Sequence, residues 1–452
     1  MIRYRARWIV PVTSPPEANG VVAVDGDRLV YVGPASDAPT TAGEDVDLGD
    51  VILMPGLVNA HCHLELTAMR GFLEDLDFRR WILRLTSARQ AVLDRDALLD
   101  SARYGIEEGL RAGITTFADT SDSAVGLQAM REAAVRGVLY QEVFGPDPSQ
   151  CAKSIADLRE KVAGLRYLET PLVRVGVSPH APYTVSDDLF KATANLAREM
   201  RLPVAVHIAE SDLESQLVEK GSGGFADGLR RRGIEVVPRG ESPIALLDAC
   251  GVLDTRPLLI HCVRVNAADV ERIASSSSAV AHCPVSNAKL GHGVAPLLDL
   301  LEAGIPVGLG SDSMASNNRM DLLEEARVAL LAQRAVAQLC DAPEAVDMIE
   351  LATIAGARAL GIDAEVGSLE EGKQADLAAF AIEPAAPIQD PVAALVYSIS
   401  AARARFVTVA GRVLIRDGEL VSPRAGLAGR MQTLGEALAS WLDSGGEMRG
   451  SL

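Results

Sequence analysis

The chain has few cysteines for its length, and none of them lies in a closely spaced pair. Six cysteines are spread over 452 residues, and no CxxC motif is present. A disulfide framework or a cysteine-based zinc cluster needs several cysteines at short spacing. We therefore interpret the six as reduced thiols, and we expect a cytoplasmic protein.

Long apolar runs and an excess of positive charge are also absent. No stretch approaches the ~18 consecutive apolar residues that a membrane span requires. The N-terminal segment MIRYRARWIVPVT is interrupted by proline, and its apolar stretch is too short for a signal peptide. The formal net charge is −18. Because nucleic acids and anionic membranes bind basic surfaces, we expect neither as a partner. The charge indicates no particular substrate, and the small-molecule substrate that we expect is inferred from the candidate active-site residues.

The central part of the chain alternates strand-like apolar segments with amphipathic helical segments, the pattern of βα units around a parallel sheet. Eight such units in roughly 300 residues predict an α/β fold, a (β/α)₈ TIM barrel. An open doubly wound sheet is the alternative, but it calls for a glycine-rich phosphate turn after the first strand, and none is present. The predicted strands are GLVNAHCH (56–63), GITTFAD (113–119), GVLYQEV (137–143), VRVGVSPH (173–180), PVAVHIAE (203–210), PLLIHCV (257–263), SAVAHCP (278–284) and IPVGLGSD (305–312).

Both chain ends have short β-like runs punctuated by glycine. We predict that residues 1–56 and 366–425 form one small composite β-sandwich beside the barrel, and that the barrel covers residues 57–365. Residues 426–452 are predicted as a C-terminal helix and tail.

Histidine is placed unevenly along this pattern. Six of the seven histidines end a predicted strand, and His292 lies in the loop after the seventh strand. The carboxyl ends of all barrel strands meet on one rim, where barrel enzymes have their active sites. We therefore expect the histidines to converge there.

Four of the residues at this rim suit a single divalent ion. His61 and His63 are two apart at the end of the first strand and so project to one side. With His207 and Asp312 they give three imidazoles and a carboxylate, a donor set suited to Zn²⁺ with one position left for water. The fourth strand offers no lysine for a bridging carbamate, which favours one metal over two.

Three residues at the rim are candidates for moving protons around such a water. An ion of this kind lowers the pKa of bound water to about 7. Glu210, three residues after His207, is placed to receive a proton and pass it to a leaving nitrogen. His261 is a candidate to bond the same water or polarise the substrate, and Asp312 to accept a proton. Spacing alone leaves these roles open.

Several segments, in order along nearly the whole chain, resemble the amidohydrolase superfamily, in its branch of nucleoside deaminases and triazine hydrolases. They are PGLVNAHCHLE, SPHAPYTVS, HIAES, LLIHC, HCPVSNAKLGHGVAP, GSDSMASNN and GSLEEGKQADL. The resemblance implies that His61, His63, His207 and Asp312 hold one zinc ion, with iron as the alternative. It implies that Glu210 shuttles the proton, that His261 assists the hydroxide and that His180 binds the substrate. Homodimers occur among such proteins.

The resemblance is less specific for the substrate. HCHLELT with RGFLEDLDFRRWI resembles the aminodeoxyfutalosine deaminases of an alternative menaquinone pathway, which places Glu65 and Trp81 at the pocket. HCPVSNAKLGHGVAP resembles instead the deaminases of S-adenosylhomocysteine, methylthioadenosine and adenosine. Those enzymes carry an acidic ribose-binding residue downstream of the Trp81 position, where this chain has SARQAVL.

We expect hydrolytic deamination of an adenine nucleoside, with 6-aminodeoxyfutalosine favoured. A triazine-type chlorohydrolase and a catalytically inactive structural barrel are the alternatives outside this class. For Glu65, a hydrogen bond to a ligand histidine is weighed equally with a substrate contact. His282 and His292 receive no role from the sequence.

Overall fold

The computed structural model describes residues 1–399 and 403–446, apart from the side chain of residue 384. In chain order the strands of these residues are β1 (Ile2–Ile9), β2 (Glu17–Asp25), β3 (Arg28–Pro34), β4 (Glu44–Asp47), β5 (Val51–Pro55), β6 (Leu57–Cys62), β7 (Ile114–Ser121), β8 (Arg136–Val143), β9 (Val173–Pro179), β10 (Ala205–Ile208), β11 (Leu258–His261), β12 (Ala279–His282), β13 (Val307–Leu309), β14 (Leu377–Ala381), β15 (Ala404–Val409), β16 (Arg412–Arg416) and β17 (Glu419–Leu420).

The α-helices of the same residues are α1 (Phe78–Val92), α2 (Arg95–Arg111), α3 (Val125–Ala133), α4 (Cys151–Arg166), α5 (Asp187–Met200), α6 (Asp212–Lys220), α7 (Gly223–Arg231), α8 (Pro243–Ala249), α9 (Ala267–Ser276), α10 (Pro284–Lys289), α11 (Leu297–Glu302), α12 (Met314–Asn317), α13 (Leu322–Ala337), α14 (Ala345–Leu351), α15 (Ile354–Ala359), α16 (Pro391–Tyr397) and α17 (Leu427–Asp443). Short 3-10 helices occur at Leu64–Met69, Pro148–Gln150, Leu253–Thr255 and Glu383–Ala385.

Strands β6 to β13 form a barrel of parallel strands, so the predicted (β/α)₈ fold is confirmed. Two four-stranded parallel sheets, β6–β9 and β10–β13, make up its wall. The sheets meet where Val177 pairs with Val204 and where Cys62 pairs with Asp312. Each of the eight predicted strand segments overlaps one of these strands. Their carboxyl ends therefore share one rim.

The two chain ends contribute strands to one separate sheet. Its hydrogen-bonded order is β17-β16-β15-β14-β5-β1-β2-β3, and β4 pairs with β1. The N-terminal and C-terminal parts join where β5 pairs antiparallel with β14. Buried residues from both ends, including Tyr4, Leu53 and Phe406, pack into one apolar cluster. The strands of the two chain ends, predicted as a composite β-sandwich, therefore lie in this one sheet.

A single residue, Gly56, carries the chain from this sheet into the barrel, because β5 ends at Pro55 and β6 begins at Leu57. The Gly56 backbone N–H donates to the carbonyl oxygen of Asp376 at 2.9 Å. A Cβ atom added here would lie 2.2 Å from Thr115 Oγ1, so only glycine fits the close approach. The strand that carries the first two histidines is thus anchored directly to the sheet.

A buried ionic network also joins the barrel to the sheet. The Arg136 guanidinium, at the start of β8, donates to both carboxylate oxygens of Asp376, at 2.9 and 3.1 Å. A third bond, of 3.2 Å, goes to Glu365. The side chains of Arg136 and Asp376 are each 3% exposed, so this pair lies beneath the barrel and away from water.

The C-terminal helix α17 packs against α1 and α2. Residues 447–452, the end of the predicted tail, lie outside the described residues. Among residues 1–399 and 403–446, none of the helices combines the length and the apolar character that a membrane crossing needs.

Candidate active site

The four predicted metal ligands meet at the carboxyl rim of the barrel. His61 and His63 come from the end of β6, His207 from β10, and Asp312 follows β13. His63 Nε2 lies 3.2 Å from His207 Nε2. Asp312 Oδ1 lies 3.3 Å from His61 Nε2 and 3.7 Å from His63 Nε2.

These spacings fit a single ion of the size of zinc. Two nitrogen ligands that share a tetrahedral Zn²⁺ at 2.0–2.1 Å stand roughly 3.3 Å apart. His61 Nε2 is buried without a hydrogen-bond partner in the described chain, as expected of an atom whose partner is a metal. Burial lowers the pKa of His61 and His207 and takes the pKa of His63 to about 3. The rings are therefore neutral, which is the form that binds a metal.

A local irregularity in β6 turns both histidines toward this point. Ala60 packs in the apolar cluster that fills the barrel, whereas Cys62 packs in the cluster outside it. Strict alternation from Ala60 would point His61 outward. The pairing of β6 with β7 is irregular between Asn59 and Cys62, and this shift in register lets His61 face inward beside Ala60.

Hydroxyl groups orient the ligands from behind. Thr120 places its side-chain oxygen 3.3 Å from His61 Nδ1. Ser286 and Ser316 donate to Asp312 Oδ2 at 2.5 and 3.1 Å, which leaves Oδ1 to face the histidines. Such contacts fix the orientation of metal ligands. No sequence pattern singles out these three residues, because isolated serines and threonines have no diagnostic spacing.

Glu210 lies between two histidines beside the ligands. Its Oε1 is 3.3 Å from His292 Nε2 and 3.6 Å from His261 Nε2. Burial opposes ionisation of Glu210, but the attraction of His261 and His292 outweighs it and lowers the pKa of this carboxyl. His261 Nδ1 lies 3.0 Å from Asn287 Oδ1, which fixes the ring with Nε2 toward Glu210. His292, without a role in the sequence analysis, is thus a direct neighbour of Glu210.

The loop that carries Glu210 is held by a second glutamate. Glu214 accepts the backbone N–H groups of Ala209 at 2.8 Å and of Glu210 at 3.0 Å. The backbone is left-handed at Ala209, His261 and Asp312, where φ is 51°, 77° and 54°, respectively. Left-handed backbone at non-glycine residues is strained and is common at functional sites. Here it occurs at three of the strand ends that form the site.

A cavity of about 260 Å³ lies at the predicted ligands His63, His207 and Asp312, which belong to its lining. We refer to the apolar side chains of the lining, which include Phe78, Trp81, Ile82, Leu85 and Leu290, as the apolar wall. We refer to the polar side chains, which include Glu65, Arg89, Asp122, Glu142, His180 and Thr184, as the polar wall. The structure therefore places every predicted site residue at this cavity or, for His61, buried directly beneath it.

The two residues that the sequence could not assign, Glu65 and Trp81, both line the cavity. Trp81 lines the apolar wall, and its Nε1–H donates to the carbonyl oxygen of Ala315 at 3.3 Å. Glu65 lines the polar wall and accepts two hydrogen bonds from Arg89, at 3.1 and 2.7 Å, and one from Ser123. The contacts of Glu65 are thus with Arg89 and Ser123 and include no ligand histidine.

His282 lies apart from this group. It is buried in β12, and both of its ring nitrogens are without a hydrogen-bond partner among residues 1–399 and 403–446. Burial lowers its pKa to about 4, so the ring is neutral. It does not line the cavity.

The chain is similar along most of its length to known proteins. The sequence profile of the amidohydrolase family matches residues 52–414. A 5-methylthioadenosine/S-adenosylhomocysteine deaminase of Moorella thermoacetica is 33% identical over 423 residues, which cover 91% of this chain and 93% of the relative. A 5'-deoxyadenosine deaminase of Methanothermobacter thermautotrophicus is 34% identical over 410 residues, 89% of this chain and 90% of the relative.

A solved structure shares the same architecture. The crystal structure of an adenosine deaminase from Xanthomonas campestris, with bound zinc, matches with a TM-score of 0.87 and 29% identity. The match covers 97% of this chain and 98% of that one. The barrel, the rim ligands and these similarities agree: the chain belongs to the amidohydrolase family and is a hydrolytic enzyme.

Proposed function

We propose that this enzyme deaminates adenine nucleosides by hydrolysis, with zinc as its metal. The observation that carries the proposal is the position of Glu210. Its carboxylate lies 3.3 Å from His292 Nε2 and 3.6 Å from His261 Nε2, and it lines the same cavity as the predicted ligands His63, His207 and Asp312. The similarity to adenine nucleoside deaminases over about nine-tenths of the chain supports the same reaction.

The chemistry divides between the ion and the side chains. A bound divalent ion lowers the pKa of its water to about 7 and so supplies hydroxide at neutral pH. Glu210 receives the proton that the water loses and delivers it to the ring nitrogen next to the amino-bearing carbon. The oxygen of water ends on that carbon, and the amino group leaves with a further proton as ammonia. His261, fixed by Asn287, keeps Glu210 ionised and ready to accept the first proton.

The cavity walls suit the two halves of a nucleoside. The side chains of Phe78, Trp81 and Leu85 offer a flat apolar surface for a purine ring. On the polar wall, carboxyl, imidazole and hydroxyl groups offer hydrogen-bond partners for the sugar hydroxyls. His180 lies on this polar wall, in keeping with the substrate contact predicted for it.

Within this class, the sequence resemblance favours 6-aminodeoxyfutalosine. S-Adenosylhomocysteine, methylthioadenosine, 5'-deoxyadenosine and adenosine are the alternatives. A triazine chlorohydrolase would use the same ion, but Glu210 supplies the acid that a leaving amino group needs. A barrel with a purely structural role would also need neither the four predicted ligands nor the contact between Glu210 and His261.

The test is ammonia release by zinc-loaded protein from each of these five nucleosides and from a chlorotriazine. The proposal expects turnover of at least one nucleoside and none of the triazine. Chloride release from the triazine without ammonia from any nucleoside would contradict it. Metal analysis of the same preparation gives the ion content against which turnover is expressed.

A further inference from the structure

Glu142 is a buried carboxyl of the cavity to which the proposed reaction gives no task. It lies near the end of β8, and its side chain is 8% exposed. Its Oε1 atom is buried and has no hydrogen-bond partner among the described residues. The side chain nevertheless lines the cavity, on the polar wall. A buried carboxyl oxygen without a partner is costly, and at a cavity wall it indicates a ligand that supplies the missing bond.

The neighbour of Glu142 shows what kind of ligand fits. His180 Nε2 lies 3.9 Å from Glu142 Oε1, too far for a hydrogen bond. On the other side of the ring, Nδ1 lies 2.7 Å from Thr184 Oγ1. The Thr184 hydroxyl donates to the carbonyl oxygen of Ala181 at 3.1 Å, so it accepts from His180 Nδ1–H. The neutral ring then presents the lone pair of Nε2 toward Glu142.

Glu142 Oε1 and His180 Nε2 thus face one gap, and a hydroxyl is the group that completes them, because it can both donate and accept. One sugar hydroxyl donates to His180 Nε2, and an adjacent hydroxyl of a diol bonds the Glu142 carboxyl. We propose that Glu142, together with His180, anchors the sugar hydroxyls of the substrate and selects nucleosides with an uncharged sugar end. This inference rests on the proposed adenine nucleoside deamination. Within that class it favours adenosine, methylthioadenosine and 5'-deoxyadenosine over S-adenosylhomocysteine and over the 6-aminodeoxyfutalosine that the sequence resemblance favours, because the last two carry a carboxylate at the sugar end.

The charge of the polar wall supports the second half of the proposal. Among the described residues that line the cavity, Arg89 carries the one guanidinium, and no lysine is present. Arg89 is paired with Glu65 at 2.7 Å and also bonds Asp122, so its charge is compensated by two carboxylates. Lys161 reaches only the backbone of Asp122 and does not line the cavity. With Glu142 added, this wall has no positive charge left for an anionic substituent.

The first arm of the test removes hydroxyls from the substrate and the carboxyl from the protein. Adenosine, 2'-deoxyadenosine, 3'-deoxyadenosine and 5'-deoxyadenosine are compared with wild-type enzyme, Glu142→Ala and the exposed control Glu160→Gln. A hydrogen bond to a carboxyl is worth about tenfold or more. We expect wild type and the control to lose at least about tenfold in kcat/KM for one of the deoxy substrates. In Glu142→Ala, kcat/KM for adenosine and for the same deoxy substrate should differ by no more than about twofold.

The second arm tests charge with an isosteric pair, adenosine-5'-carboxylate and adenosine-5'-carboxamide. Wild type should prefer the carboxamide by about tenfold or more, because burial and the nearby carboxylates of Asp122 and Glu65 already raise the pKa of Glu142, and a further negative charge at this wall is equally unfavourable. Metal content and Tm of each variant identify any loss that comes from misfolding, which would not change the ratio between two substrates.

The outcomes separate this inference from the proposed function. If wild type deaminates adenosine but Glu142→Ala keeps the wild-type ratios between adenosine and all three deoxy substrates, the anchoring role of Glu142 is wrong and the deaminase stands. If wild type prefers the carboxylate to the carboxamide, selection for an uncharged end is wrong. If zinc-loaded wild type releases no ammonia from any adenine nucleoside, the proposed function itself fails.

Discussion

Glu214 holds Glu210 through the backbone: its carboxylate accepts the N–H group of Glu210 at 3.0 Å and that of the preceding Ala209 at 2.8 Å. Burial raises the pKa of Glu214 to about 8, while these two bonds favour its ionised form. Glu210, the proposed proton carrier, is thus positioned by a second glutamate four residues further along the chain, which itself is fully buried.

Removing this support should therefore slow the reaction without removing the metal. Glu214→Ala leaves two buried N–H groups unpaired, so we expect a stability loss of about 2 kcal/mol and a kcat about tenfold lower. Glu214→Gln, which can still accept one bond, should lose less of both. The measurements are kcat, zinc content and denaturant unfolding, with the exposed Glu219→Gln of the same helix as control. A wild-type kcat in Glu214→Ala would show that the loop keeps Glu210 in place by itself.

Glu210→Gln should separate metal binding from catalysis. The amide has the shape of the carboxylate but cannot accept the proton, so turnover should fall by about 10²–10⁴-fold. Zinc content should stay at the wild-type value, because Glu210 is not among the four predicted ligands. Metal analysis and ammonia release on one preparation check both points. Normal turnover in this variant would mean that another group carries the proton.

Removal of the metal should cost both activity and stability. A bound ion stabilises the folded state by mass action, and without it three neutral imidazoles and the Asp312 carboxylate face one another across 3.2–3.7 Å. We expect chelation to lower the Tm and abolish deamination, and added zinc to restore both. His207→Ala should show the same loss without recovery. Full activity in protein shown to be metal-free would contradict the assigned ligands.

The buried pair of Arg136 and Asp376 should matter for stability and not for chemistry. Asp376→Ala leaves a buried guanidinium without its main partner, which costs about 3–5 kcal/mol. The double variant Arg136→Met/Asp376→Leu removes both charges and should recover much of that loss. Denaturant unfolding measures the free energies, and kcat at low temperature should stay unchanged. Equal stability of Asp376→Ala and wild type would show that water replaces the Asp376 carboxylate as the partner of the Arg136 guanidinium.

The parts of the site that sequence could predict are those tied to strand ends. His61, His63, His207 and Asp312 are far apart in the chain, but barrel topology brings every strand end to one rim. The residues that sequence could not predict act through contacts without periodic spacing. Thr120 in β7 and Ser286 in α10 contact the predicted ligands, and their residue types are too common to stand out.

Local backbone geometry was equally beyond prediction. The irregular pairing of β6 that turns His61 inward depends on the register with β7, which no pattern in β6 reveals. The pairing of Arg136 with Asp376 joins residues 240 positions apart, on elements that were assigned to different domains. Glu65 and its partner Arg89, in the segment SARQAVL, are 24 residues apart in the chain. Only the packing of α1 at the rim brings the two side chains together.

The most direct test of the central claim is deamination in water enriched in oxygen-18, followed by mass spectrometry of the purine product. Zinc-loaded enzyme with adenosine, methylthioadenosine or 5'-deoxyadenosine should release one ammonia per product, and the product should carry one labelled oxygen on the carbon that bore the amino group. Glu210→Gln under the same conditions should give neither. Unlabelled product, or no ammonia from any of the five proposed nucleosides with a full complement of zinc, would contradict a hydrolytic adenine nucleoside deaminase.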